Sequence, residues 1–240
     1  LCLALTLTGC AGNGTASPKP GNEGQPTGEP VQGGTYVMRS HGDPNSFNPN
    51  MKTDDLQLPA TYNIFNRLVK MTVDNHVVPD LATDWEFSED GMELTFNLRE
   101  NVKWHDGEPF TSEDVKWTFE TMKEYSWTKS DSLAAVTSIE CPDENTVVLN
   151  LSQRDVGIVP KLGWYATFIM PEHIWNDPAY SDFVSNPATW NPVGTGPYKF
   201  EKYDAGVGTT LVRNEDFFGT KATIEKLIFQ VIPDQTTAYQ

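Results

Sequence analysis

The side chains of this chain with catalytic potential are 33 Asp and Glu, four His and three Cys. His41, His76, His105 and His173 are scattered and show no His-x-x-x-His spacing, so they support no metal-catalytic site. There is no Gly-x-Ser-x-Gly elbow for a serine hydrolase. Gly194-Thr195-Gly196 lacks the third glycine of a dinucleotide loop, and no Gly-Lys-Ser/Thr follows it. It reads as a tight turn feeding a strand. Any two carboxylates could meet in space as a glycosidase pair, but abundant surface carboxylate is the simpler account, so no nucleophile or base is nominated. The seven Trp and eight Tyr say more. Aromatic rings offer flat apolar faces to sugars or peptide side chains, and Trp and Tyr add a polar tip. Trp85, Trp104, Trp117 and Phe119 lie inside regular patterns and are expected in a core. Trp127, Trp164 and Tyr165 lie in less regular connections.

The elements that must position these rings centre on residues 80–124. Met92, Leu94, Phe96 and Leu98 alternate with Glu93, Thr95, Asn97 and Arg99, which predicts a strand with one buried face. Ser88-Glu89-Asp90-Gly91 is a turn back to a preceding strand carrying Trp85 and Phe87. Asp106-Gly107 marks a second tight turn. Thr111-Ser112-Glu113-Asp114 reads as a capping box, with Val115, Phe119 and Met122 on the apolar face of the helix that follows. Leu56, Ala60, Ile64 and Leu68 predict a helix over 55–70, with Pro59 in its first turn. Residues 68–71 and 77–79 predict a hairpin around Asp74-Asn75. Residues 137–141 and 146–151 predict a second strand pair, and a short helix is predicted between Val156 and Trp164. Strands are expected from Gly33, after Gly196 and over 224–233, with a helix opening near Thr236.

The first seven residues are largely apolar, and Leu7-Thr8-Gly9-Cys10 has the form of a bacterial lipobox, so residues 1–9 read as the remnant of a signal peptide and Cys10 as the lipidated residue. Residues 10–31 are rich in Gly, Pro, Ser and Thr, nearly without large apolar side chains, and are expected to be a flexible tether. With Cys2 leaving in the signal and Cys10 carrying lipid, Cys141 stands alone and is expected to be a small buried hydrophobe. No Cys-x-x-Cys suggests zinc or a redox pair. A net charge of −16 argues against binding nucleic acid or an anionic membrane through a basic face.

The run VVPDLATDWEFSEDGMELTFNLRENVKWHDGEPFTSEDV resembles the signature region of the family 5 extracellular solute-binding proteins of ABC importers, the receptors for peptides, nickel and oligosaccharides. Asn191-Pro192-Val193-Gly194-Thr195-Gly196-Pro197-Tyr198 and Leu211-Val212-Arg213-Asn214-Glu215-Asp216-Phe217-Phe218-Gly219 resemble two further family segments. The resemblance implies an α/β fold in the style of class II periplasmic binding proteins. Residues 32–52 and 166–240 would form a mixed-sheet first lobe, incomplete here, and residues 53–165 an inserted α+β subdomain, with the second lobe outside this sequence. It implies capture of an extracytoplasmic solute by a monomer anchored to the bacterial membrane through lipid, and delivery to the permease subunits of an ABC system. The solute would be a peptide first, then an oligosaccharide or a nickel chelate. No cofactor, resident metal or nucleic acid is implied. By position, Trp127, Trp164 and Tyr165 match segments bordering the family's ligand cleft. Asn48, Met51 and Lys52, in or just after the loop Ser46-Phe47-Asn48-Pro49, are further candidates; His41 before it could contact a ligand, but a surface turn histidine is the simpler reading. A secreted glycan-active lipoprotein enzyme, and a sensor or adhesion module that keeps the receptor fold, are the competing readings.

Overall fold

Alternation along Glu93–Leu98 is realised residue by residue. Leu94, Phe96 and Leu98 are buried, while Glu93 and Asn97 face water. In the computed structural model, which describes residues 32–52, 54–165, 167–180 and 182–234, this strand (β5) belongs to an antiparallel sheet. The sheet's other strands are β4 (Ala82–Phe87), β6 (Val136–Asp143) and β7 (Thr146–Leu151), in the order β4-β5-β7-β6. Gly91 takes φ +72° in the β4–β5 turn, a conformation that needs glycine. Helix α2 (Ser112–Glu124) covers β6 and β7 with Val115, Phe119 and Met122, all nearly inaccessible to water. Its capping box is present, and Asp114 Oδ2 accepts from the Thr111 N–H at 3.0 Å. The same carboxylate accepts from Glu172 N at 2.9 Å and from the Trp104 indole at 3.3 Å, so the cap also ties two distant segments to α2.

A second sheet has a separate core. β1 (Thr35–Ser40) pairs in parallel with β10 (Lys226–Val231). β10 pairs antiparallel with β9 (Gly208–Arg213), and β9 with β8 (Tyr198–Asp204), giving a mixed sheet in the order β1-β10-β9-β8. Phe47, Ala60, Ile64, Phe65, Phe168 and Leu211 lead its core. The larger cluster lies around the antiparallel sheet. Tyr36, Val37 and Met38 on edge strand β1 remain exposed.

The helix expected over 55–70 is shorter. α1 spans Leu58–Ile64 and ends at Phe65, which is extended, and Val69–Met71 is instead strand β2, paired with β3 (Val77–Pro79). The period-four apolar pattern hides a change of partner. Ala60 and Ile64 belong to the mixed-sheet core, whereas Leu68 belongs to the other. A straight helix has one apolar face and cannot serve both. Cys141 is half-buried rather than buried, and its thiol donates to the Ser112 carbonyl at 3.3 Å. Burial, the largest influence, pushes that thiol's pKa up. The signal remnant, Cys10, the tether and the helix expected near Thr236 lie outside the described residues.

Candidate functional site

The two cores meet at the Gly194-Thr195-Gly196 turn. Gly196 N–H donates to the Ile64 carbonyl at 2.8 Å, which closes off the end of α1. The approach is so close that a Cβ on Gly194 would lie 1.9 Å from Ile64 O, and one on Gly196 2.4 Å from Asn63 O. From the other side the turn is held by His105. Gly194 N–H donates to Nδ1 at 3.3 Å, and Nε2 lies 3.0 Å from Gly196 O. His105 N–H also donates to Gly194 O at 2.9 Å. The neutral ring with its proton on Nε2 satisfies both contacts. A second proton would sit on Nδ1, facing the Gly194 N–H. Burial pushes the His105 pKa down to about 4, with Lys199 lowering it further and the Gly196 hydrogen bond opposing.

Thr195 carries the junction onward, donating to Asn66 Oδ1 at 3.0 Å. Asn66 donates to Asp80 Oδ1 at 2.8 Å, and the Arg67 N–H donates to Asp80 Oδ2 at 3.1 Å. Burial raises the Asp80 pKa, offset by the Arg67 backbone, by Lys70 and Arg67 charge and by Asn66. The Arg67 guanidinium stacks over the rings of Tyr62 at 5.0 Å and Phe168 at 5.2 Å. Its Nη1 donates to the Trp164 carbonyl at 3.2 Å.

Trp164 follows α3 (Ile158–Leu162) and its cap, Gly163. Thr167 Oγ1 donates to the Leu162 and Trp164 carbonyls, both at 2.9 Å. With its backbone fixed from two sides, Trp164 holds its side chain outward at 48% exposure. It lines a surface concavity of about 390 Å³ with Met71, Lys129, Asp131, Pro160 and Lys161. Tyr165 packs beside it, centroids 6.5 Å apart, with Lys129 Nζ 4.8 Å from the Tyr165 ring centre. This ridge pairs aromatic faces with cationic groups and a half-exposed Tyr62. Aromatic faces beside cations offer stacking and charge contacts.

The other candidate residues fall elsewhere. Trp127 is only 5% exposed and packs on Phe183 at 4.7 Å; with Met51 it lines a separate cavity. Asn48 is fully buried, its Oδ1 accepting from the Asn50 and Met51 N–H groups at 3.1 and 2.9 Å. Lys52 is exposed. His173 meets Asp106 at 2.9 Å on the surface. Among the described residues, no group of three or more His, Cys, Asp or Glu side chains is placed to hold a metal. Sequence reasoning missed Arg67, Tyr62 and Lys129. Arg67 sat in an apparent helical repeat, where a charge reads as solvated face, and only the break at Phe65 turns it toward Trp164.

The family model for bacterial extracellular solute-binding proteins, family 5, middle region, matches residues 76–240, more than half of the chain. A Brucella ovis protein described as an ABC transporter peptide-binding protein is 35% identical over 85% of this chain and 39% of its own length. The dipeptide-binding protein of Escherichia coli is 30% identical over 87% of this chain and 43% of its own length. The structure of the Bacillus subtilis oligopeptide-binding protein AppA with a nonapeptide superposes with a TM-score of 0.80 at 28% identity, covering 88% of this chain and 42% of that one. The chain thus spans about two fifths of the length of these relatives. A matching family model, the mixed α/β architecture and two signature segments locked together at His105 and Gly194 give one conclusion: the chain belongs to the bacterial extracellular solute-binding proteins of family 5.

Proposed function

We propose that this chain is part of the receptor of an ABC importer, that its solute is a peptide, and that it hands the solute to a membrane permease while held to the membrane by lipid on Cys10. The observation that carries the solute-binding part is the outward Trp164 beside Tyr165, Lys129 and the stacked Arg67. An aromatic face next to fixed cations suits the side chains and the terminal carboxylate of an extended peptide. The relatives named for peptides and dipeptides support this choice of solute. The subdivision into residues 32–52 with 166–240, and 53–165, belongs to the same proposal, as does the monomeric state. Two separate hydrophobic clusters support a division into two parts, but not at these bounds: Ala60, Ile64 and Phe65 pack with the mixed sheet, and Ile169, Met170, Trp175 and Ala188 with the antiparallel one. Function is then differential binding: the solute stabilises one arrangement of the whole receptor, which the permease reads. The mechanism needs no bond to break and nominates no catalytic residue.

The test is a thermal-shift screen of the full-length protein against peptide, glycan and nickel-chelate panels. A peptide at about 100 times its Kd should stabilise it by about 2.7 kcal/mol. Stabilisation by glycans or nickel chelates alone would replace the peptide assignment. No shift from any panel would overturn the transport reading. A glycan-active enzyme would instead show turnover, from two carboxylates about 5–10 Å apart across a cleft.

A further inference from the structure

A second cavity, of about 510 Å³, lies beside the C-terminal end of α2, and the ridge at Trp164 does not line it. Its walls are aromatic. Phe183 packs 4.7 Å from Trp127 and 5.0 Å from Tyr125, at 81° and 87° between ring planes. Rings at right angles form a corner, which presents π-faces from more than one direction. Trp175 stands 6.4 Å from Phe183, and Tyr180 completes the aromatic lining. Two carboxylates, Asp177 and Asp182, line the same cavity. Each spends one oxygen on its own turn, Asp177 Oδ1 accepting from Ala179 N at 2.8 Å and Asp182 Oδ1 from Ser185 N at 2.7 Å. The other Asp177 oxygen makes no hydrogen bond or ion pair among the described residues, whereas the Asp182 carboxylate is held further by the Ser185 side chain and the Val184 backbone. The lysines flanking Trp127 are both engaged elsewhere: Lys123 donates to the Val136 carbonyl, and Lys129 lies over Tyr165.

One further feature shows that the cavity is not self-sufficient. The Trp175 ring lines it at 3% exposure, yet its indole Nε1–H is buried with no hydrogen-bond partner among the described residues. A buried donor without a partner costs about 1–3 kcal/mol; this nitrogen is closed to water, so an acceptor on a ligand removes the cost only as the Trp175 ring shifts on binding. Ring faces attract cations, and acidic neighbours add to the attraction. From this combination we propose that the Tyr125–Trp127–Phe183 cavity is a second binding site, taking a small organic cation that also carries a hydrogen-bond acceptor. It uses none of the residues at the Trp164 ridge, although Trp127 and Met51, which line it, are among the residues the resemblance set near the family's ligand cleft.

The experiment is isothermal titration of the full-length protein with choline and with its uncharged isostere 3,3-dimethylbutan-1-ol. Both carry the same hydroxyl and nearly the same shape. Choline should bind at least about tenfold more tightly, the factor that about 1.4 kcal/mol of cation–π and ionic attraction supplies. Asp177→Asn with Asp182→Asn, both surface changes, should weaken choline about fivefold or more, and Tyr125→Ala should weaken it further. Trp164→Ala should leave it unchanged. Equal binding of the two probes, no heat with choline at millimolar concentration, or loss of choline binding in Trp164→Ala would each overturn the proposal. None of these outcomes bears on peptide binding at the ridge.

Discussion

Replacing His105 tests the junction between the two cores. In the folded chain its ring accepts from Gly194 N–H and donates to Gly196 O, and its pKa is pushed down to about 4. In the unfolded chain it titrates near 6.5. Between those values the unfolded state binds the proton and the native state does not. The stability that follows is fully present above about pH 6.5 and is lost as pH falls through 4. A shift of about 2.5 units at about 1.36 kcal/mol each is about 3 kcal/mol. This is an upper bound, since the residue is only partly buried and water relieves some of the cost. Asp80 and Asp114 act in the opposite sense. Their folded pKa values are raised by burial, so their contribution is present at low pH and fades as pH rises through those values. A single pH curve mixes the three, so the informative quantity is a difference. Urea unfolding of the full-length protein and of His105→Gln should be followed from pH 7.5 to 4.5. The variant keeps a donor and an acceptor but cannot titrate, and it starts less stable at pH 7.5. The gap between the two proteins should shrink by about 2–3 kcal/mol as pH falls. A gap that stays constant across this range would refute the reading of His105 as a neutral clasp.

Three other substitutions follow from the same geometry. Gly194→Ala places a methyl 1.9 Å from the Ile64 carbonyl, so it should cost more than about 4 kcal/mol; a melting temperature within a few degrees of the parent would contradict the close approach. Asp114→Ala removes the acceptor for Thr111 N, Glu172 N and Trp104 Nε1 and should destabilise by about 2–3 kcal/mol, measured by chemical denaturation, whereas a loss below about 0.5 kcal/mol would mean that these bonds contribute nothing. Trp164→Ala should change stability by less than about 1 kcal/mol while weakening peptide about tenfold or more, and Trp127→Ala should lose about 3–5 kcal/mol of stability; calorimetry and denaturation together separate the two, and equal stability losses would show that exposure does not divide the rings as described.

How much of this was legible in the chain depends on the range of the interaction. Leu94, Phe96 and Leu98 declare their strand because alternation is local, and Thr111 with Asp114 declares a helix start because both halves of the cap lie within four residues. The end of α1 was not legible. It is set by Gly196, over 130 positions away, which meets the Ile64 carbonyl and lets the chain turn from one core to the other. His105 was only one of four scattered histidines for the same reason, since its partners Gly194 and Gly196 are distant in sequence. The resemblance placed the two signature segments in the correct order without saying that they touch. At the site, the irregular setting of Trp164 and Tyr165 was readable, but the exposure of Trp164 and the burial of Trp127 depend on what packs around each ring. Phe183 covers Trp127, whereas α3 and Arg67 hold Trp164 at the surface.

Mass spectrometry of the full-length protein incubated with a peptide that stabilises it tests most directly whether a solute is gripped and left unaltered. The expected result is a one-to-one complex that releases the peptide at its original mass after many hours, with Trp164→Ala failing to retain it. Cleavage or modification of the peptide, or equal retention by the Trp164→Ala protein, would contradict the account.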